Sequence, residues 1–365
     1  MSPMLRPRCY ITFTNAKESI EFDYCQEFHT EESYETLTNT ATIIMPRKFD
    51  QFPDTVFTGQ YPLFKRKDKV KIEAGYNKDR ILLFEGFITK VGINVPVEIQ
   101  CEDYMFIFKQ YTFTYPQNVC TLHKISKKGK TLKSTYTISE DITLKALMEN
   151  IFNQGNYRDL LDGISYELVD KNINLGQVRF NNITPAKAFE KLKDDYGLYT
   201  YFIGKVLYIG FANNAVDTKT RNIKLEEAAI NYNSLEFQNE EDILIKVKCV
   251  SMLKDNTKLE GEFGDDAGEL RTYHFYNIKD VNSLIEIAKK RAEALKYTGL
   301  KGNLLTFGAP YLRHGDIAKL SSTSVAIRGT DGKGLDGKYL IKAVKRSFGV
   351  SIGYRQSLEL GAKID

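Results

Sequence analysis

The sequence has no tryptophan, only four histidines and nine prolines, and no long apolar run. Each shortage removes a class of protein. No stretch approaches the roughly 20 apolar residues of a membrane-spanning helix. The opening Met1 to Phe13 carries basic residues but no apolar segment ahead of the first strand-like stretch, so no secretory signal is predicted and folding is expected in a cytoplasm. The five cysteines, Cys9, Cys25, Cys101, Cys120 and Cys249, are odd in number, far apart and never in a C-x-x-C pair. That usage suggests neither a disulfide framework nor a zinc site, and the expectation is reduced core thiols. A Cys9 to Cys25 bridge between adjacent strands stays open. Charge of one sign is also scarce: 51 Lys and Arg against 47 Asp and Glu leave +4, too little for a dedicated nucleic-acid binder.

Motifs that carry chemistry are equally thin. His29, His123, His274 and His314 are scattered, none with a second ligand-type residue at i+4 to build a metal site on a helix. G-x-S-x-G is missing, so a hydrolase elbow has no support. Gly129-Lys130-Thr131 imitates the end of a P-loop, but the first glycine of that pattern would fall on Lys124. Neither a strand before nor a helix after is predicted, so Lys124, Lys127, Lys128, Lys130 and Lys133 read as a solvated basic loop. The acidic, glycine-rich Glu260 to Glu269 lacks the spacing of a calcium loop and reads as an exposed hairpin end. Gly329 to Gly337 could form an anion nest, but it opens onto a strand, without a helix dipole to hold a phosphate. The carboxylate runs Glu240-Glu241-Asp242 and Asp265-Asp266 read as surface charge. No catalytic, cofactor-binding or metal-ligating residue is assigned.

What the sequence does hold is sheet. Hydrophobic content is 42%, and Tyr and Phe number 22 each, which favours half-buried strands. Asp68 to Glu102 shows short apolar-polar alternations broken by Gly, Pro and Asn-Lys-Asp, the pattern of small antiparallel strands. Before it, Cys9 to Phe13, Ser19 to Phe28 and Thr36 to Met45 alternate likewise, with His29 to Glu35 read as an acidic turn. A related stretch returns late in the chain. Asp316 to Leu320 echoes Asp68 to Ile72, and Leu335 to Val344 echoes Phe84 to Val91 in a slightly longer copy, with Gly337 set against Gly86. One small barrel used twice is the expectation.

Between the copies, Thr143 caps a helix with Leu144, Leu147, Met148 and Ile151 on one face. Thr184 and Pro185 open a second helix, with Phe189, Leu192 and Tyr196 at helical spacing and Gly197 to end it. Leu198 to Ile203 and Val206 to Ile209 flank Gly204-Lys205, a two-residue hairpin turn. Asp280 caps a third helix, striped by Leu284, Ile287, Ala288, Arg291 and Leu295. The predicted class is α+β, mainly β: two related small barrel-like domains joined by smaller two-layer α+β domains. The boundaries are 1–115 for the first barrel, 116–220 for the α+β part with helices near 144–153 and 185–196, and 221–365 for the second barrel, with an inserted strand and helix segment near 255–300.

Several blocks, in this order, resemble the tail hub proteins of contractile-tailed phages and related injection systems, such as the phage T4 and phage Mu baseplate hubs and the late control protein D group. They are Phe84-Glu-Gly-Phe-Ile88, Phe180-Asn-Asn-Ile-Thr-Pro185 through Tyr196-Gly-Leu198, and Val206 to Gly210. Gly308-Ala-Pro-Tyr-Leu312 through Gly315-Asp316, Gly337-Lys-Tyr-Leu-Ile341 and Gly353-Tyr-Arg355 complete the series. The resemblance implies a structural, non-enzymatic virion protein made in a bacterial host. Three chains, with two barrels each, would present six similar units around a channel for DNA or effector. A sixfold tail tube would sit on one face and a threefold spike, expected as a separate polypeptide, on the other. Other readings are another tail-tip adaptor, a cell-wall glycan-degrading enzyme with two facing carboxylates in a cleft, or a nucleic-acid module using the Lys124 to Lys133 loop.

Overall fold

The structure is a computed structural model and describes residues 6–15, 18–47, 63–115, 142–153, 161–168, 173–176, 178–211, 218–231, 234–253, 257–276, 278–322 and 336–364. The first barrel-like unit is built from β1 (Pro7–Thr14), β2 (Ser19–Phe22), β3 (Glu27–Ser33), β4 (Thr40–Met45), β5 (Lys69–Tyr76), β6 (Ile81–Val91) and β7 (Val97–Glu102), in the spatial order β3-β4-β7-β6-β5-β1-β2. All its ladders are antiparallel. Alternating residues of β1, β4, β5 and β7 turn inward, so Ile11, Phe13, Ile43, Met45, Val70, Ile72, Val97 and Ile99 form the core.

One segment departs from the sequence reading. His29 to Ser33, read as part of an acidic turn, belongs to a strand that begins at Glu27, and the stretch from Ser19 breaks after Phe22. Its inward positions include Thr30 and Ser33, both buried; small polar residues on the core face hide the alternation that identifies a strand.

The second layer follows without a gap. In it lie α1 (Met105–Phe108), β8 (Phe113–Tyr115), β9 (Ile142–Thr143), α2 (Leu144–Phe152), β10 (Ser165–Leu168), β11 (Asn174–Gly176), β12 (Phe180–Ile183), α3 (Pro185–Tyr196), β13 (Leu198–Ile203) and β14 (Val206–Phe211). The Thr143 hydroxyl accepts from Ala146 N and the Thr184 hydroxyl from Lys187 N, and Gly197 ends α3 at φ +67°, the left-handed cap only glycine adopts cheaply. Helices α2 and α3 bury Leu144, Leu147, Met148, Ile151, Phe189 and Leu192 in one core with Phe108, Phe180 and Phe202. Each such side chain contributes about 1.5–3 kcal/mol. The four residues of α1 are all buried in this core too; a wholly apolar segment has no period to read.

The last third holds β15 (Thr220–Lys224), α4 (Leu225–Ala228), β16 (Ala229–Asn231), β17 (Leu235–Gln238), β18 (Ile245–Met252), β19 (Lys258–Gly264), β20 (Glu269–Tyr276), α5 (Val281–Leu295), β21 (Gly299–Phe307), β22 (Ile317–Ser321), β23 (Gly337–Gly349) and β24 (Gly353–Lys363). Strands β18 to β20 and α5 make a module with its own core, Ile245, Val247, Cys249, Leu284, Ala288 and Ala292. Here the expected hairpin end at Glu260 to Glu269 is corrected. Strands β19 and β20 flank β18, β20 running parallel to it. The turn between them crosses the end of β18, where Asp265 accepts from Ile245 N at 3.1 Å. The remaining strands form the second barrel-like unit around Leu300, Leu304, Ala318, Leu320, Ile341 and Leu358. The two units share one sheet, because Ala343–Gly349 of β23 pairs antiparallel with Glu27–Ser33 of β3.

Candidate docking surface

Five strands of one unit repeat in the other. In the first, β3, β4, β5, β6 and β7 lie in the order β5-β6-β7-β4-β3; in the second, β17, β21, β22, β23 and β24 lie as β22-β23-β24-β21-β17. Every neighbour pair in both runs is antiparallel. The module β18 to α5 occupies the connection that in the first unit is the short link between β3 and β4.

The repeat extends to single hydrogen bonds. Asp68 accepts at its carboxylate from Lys65 N (2.8 Å), and Asp316 accepts from Arg313 N (3.0 Å). Asp68 N donates to Lys65 O at 3.1 Å and Asp316 N to Arg313 O at 3.2 Å. Lys67 N and Gly315 N donate to Ile88 O and Ile341 O, and the amides of those isoleucines return the bond to Asp68 O and Asp316 O, all at 2.8–2.9 Å. The residue before each aspartate has positive φ, +80° at Lys67 and +84° at Gly315. A bulge then follows in each copy, between Ile88 and Lys90 and between Ile341 and Ala343. Ile88 therefore corresponds to Ile341, and Gly86 to Tyr339. The match of Gly86 to Gly337 suggested by the sequence is out of register, because turn bonds and bulge, not glycine identity, set the alignment.

Equivalent hairpins project from the two units. The tip between β6 and β7 exposes Ile93 (79% accessible) and Val95 (67%); the tip between β23 and β24 exposes Val350 (76%). These aliphatic side chains at hairpin tips are available for contact with another protein.

Behind the tips, the junction of the units buries the Phe28–Phe348 stack and, beside it, a polar cluster. Arg346 of β23 is 1% exposed; its Nη2 donates to Glu32 Oε1 of β3 at 2.7 Å and also to Leu312 O. Tyr311 lies under the guanidinium at 4.8 Å. His314, 2% exposed, has Nδ1 3.8 Å from Glu32 Oε2 and its ring edge-on to Tyr201 at 5.1 Å. Burial pushes the Glu32 carboxyl up, but the Arg346 charge and its hydrogen bond outweigh this and hold it below the usual carboxylate range. Burial lowers His314, with Glu32 pulling the other way.

A cavity of about 310 Å³ opens beside this junction, lined in part by Glu31, Glu32, Glu85, Asp103, His314 and Asp316. The buried carboxylates Asp103 and Asp316 and the half-buried Glu85 are committed to the fold. Glu85 accepts from the Tyr104 hydroxyl (2.6 Å), Asp103 from Asn39 N and Met105 N (3.0 Å each), and Asp316 from Lys219 N and Arg313 N. Glu240–Asp242 is an exposed single turn, Asp265 is tied to Lys296, and Asp266 is fully exposed against Lys246. His29 sits at the surface beside Glu27, and His274 lies on β20. Among the described residues no three His, Cys, Asp or Glu side chains gather where they could hold a metal ion, and no helix is long and apolar enough to cross a membrane. Cys120, His123, the Lys124 to Lys133 loop and residues 329–335 of the glycine loop lie outside the described residues. The sequence reading missed Arg346 and Glu32; they stand 314 residues apart, and no local pattern joins them.

No family profile and no curated protein matches the chain. Solved structures do, along its whole length. A tail protein from Neisseria meningitidis is similar with a TM-score of 0.60 and 10% identity, covering 98% of this chain and 97% of its own. The 43 kDa tail protein of prophage MuSo2 from Shewanella oneidensis gives 0.58 and 11%, covering 97% and 96%. An Escherichia coli component of the type VI secretion system, described as structurally similar to T4 bacteriophage tail proteins, gives 0.54 and 10%, covering 97% and 77%. From its first barrel to its last strand, the chain has the mainly β fold of phage and prophage tail proteins and of this secretion component.

Proposed function

We propose that the chain is a structural hub of a contractile-tailed phage, prophage or related injection system. Three copies form a ring of six near-equivalent barrel units, which joins a sixfold tail tube to a threefold spike. The observation that carries this reading is the duplication itself: the same strand order, aspartate turn, bulge and aliphatic hairpin tip occur twice in one chain. A closed trimer converts two such units into six, which meets a mismatch between sixfold and threefold partners without a second gene product. The fold shared with tail proteins supports the setting, and the commitment of the buried carboxylates to backbone and tyrosine partners supports a scaffold rather than a catalyst. The partners are the tube protein and a spike, and DNA or effector passes the lumen without sequence-specific contacts. The domain division that goes with this reading is a barrel over 1–115, an α+β part over 116–220 and a second barrel over 221–365.

Sedimentation analysis at rising concentration tests the ring. The expected species is three chains; a monomer that persists at high concentration, alone and with spike and tube proteins added, overturns it. The substitutions Ile93→Ser with Val95→Ser, and separately Val350→Ser, should each weaken capture by assembled tube protein while leaving the circular dichroism spectrum unchanged.

A further inference from the structure

The first barrel has a seam. In its seven-strand run, β3 stands at one end and β2 and β1 at the other, and no ladder among the described residues joins β1 or β2 to β3. Cys9 lies on β1 opposite Ala74 of β5. Cys25 lies in the link from β2, just before β3 begins. Their sulfurs are 3.7 Å apart, both side chains are buried, and both belong to the barrel's core. The contact therefore spans the seam.

We propose that Cys9 and Cys25 are a redox modification site: hydrogen peroxide, small enough to enter, joins them in a disulfide that closes the first barrel covalently. The proposal is independent of the hub reading. Cys9 is fixed within a ladder, whereas Cys25 sits in a connection that can yield as the sulfurs close to the roughly 2.05 Å of a disulfide. The hydrogen bond between the two thiols favours a thiolate at Cys9 against the opposing effect of burial, and in the proposed step Cys9, held in its ladder, is the attacking sulfur. Its thiolate attacks one peroxide oxygen; the S–O bond forms, the O–O bond breaks, and hydroxide leaves as water after taking a proton. Cys25 then loses its proton and attacks the Cys9 sulfenic acid. The S–S bond forms, the S–O bond breaks, and a second water departs. Two electrons pass from the sulfurs to the peroxide, and two thiols plus one peroxide give one disulfide and two waters. Access comes through the edge: among the described residues β2 pairs only with β1, so fraying of that hairpin exposes the pair.

The test uses the full chain, purified with reductant, treated with hydrogen peroxide, then unfolded in iodoacetamide and mapped by peptide mass. The expected result is a Cys9–Cys25 cross-linked peptide short of two hydrogens, with Tm raised by several degrees and restored by dithiothreitol. Cys25→Ser should abolish both and leave a Cys9 sulfenic acid that dimedone traps. Alkylation of both thiols after treatment, Cys9 carried to sulfinic acid without a bridge, or a bridge that leaves Tm unmoved would overturn the proposal. If Cys25→Ser does not fold, the peptide map and Tm of the unaltered chain decide it.

Discussion

Arg346 enters the junction of the barrels with Nε and Nη1 lacking a partner among the described residues, so its charge rests chiefly on Glu32. Replacing it by Met removes the cation but leaves the carboxylate in place, a change that typically costs about 3–5 kcal/mol; urea unfolding should show the loss. Adding Glu32→Gln should recover part of it, since a neutral amide needs no cation. Two other buried groups tie stability to pH with opposite signs. Burial keeps the folded His314 neutral below its ordinary value of 6.5. Its contribution is therefore complete above about pH 6.5 and is lost as pH falls through that value toward the lower folded one. Burial instead pushes the Asp103 carboxyl up to about 7, against the two backbone N–H groups that favour its charge. Its contribution is complete below the ordinary 3.8 and is lost as pH rises through about 7. In the unaltered chain the slopes oppose each other. His314→Gln should leave a protein that gains stability on acidification from about pH 7 to 5, and Asp103→Asn one that loses it. Urea midpoints that do not move with pH in either variant would refute the assignment.

At the scale of elements, the duplicated turn offers an exchange experiment. Lys67 holds at φ +80° the place Gly315 holds at +84°, and a side chain there costs about 1–2 kcal/mol. Lys67→Gly should stabilise by about 0.5–1 kcal/mol, the relief being reduced by the freer unfolded chain, and Gly315→Lys should destabilise by about 1–2 kcal/mol. Gly86 is constrained by space rather than dihedral. A Cβ there would lie 2.1 Å from the Glu102 carbonyl oxygen, so Gly86→Ala should lower stability by about 1–3 kcal/mol, visible as an earlier chemical denaturation midpoint. What the sequence disclosed follows the same physics. Elements with aliphatic alternation or side-chain caps, such as β5, β13 and α3, were legible, because burial and capping act on neighbours in the chain. Strand β3 was not, since Thr30 and Ser33 fill its inward places, and α1 was not, since Met105 to Phe108 has no polar face. The aspartate at each repeat was legible as an echo, but the register of β6 on β23 was not. It depends on bonds to Ile88 and Ile341 that only the paired strands reveal. The polar cluster at the junction was wholly hidden, being made of residues from opposite ends of the chain.

For the whole molecule, the β3 to β23 ladder and the Arg346 pair make the two barrels one cooperative unit, whereas the β18 to α5 module keeps a separate core. Hydrogen exchange followed by mass spectrometry should therefore show β6, β7, β23 and β24 exchanging together in the slowest class, and β18 to β20 with α5 opening independently and sooner. Equal protection throughout would contradict the division. The shared ladder also constrains how such a chain can change over time. Because side chains alternate sides, sliding β23 along β3 by one residue would turn the buried Arg346 outward and bury its neighbours Lys345 and Ser347 instead. The spacing between the two halves can therefore shift only in steps of two residues, about 6.8 Å. Related chains should fall into discrete classes of barrel separation, with no continuous range between them.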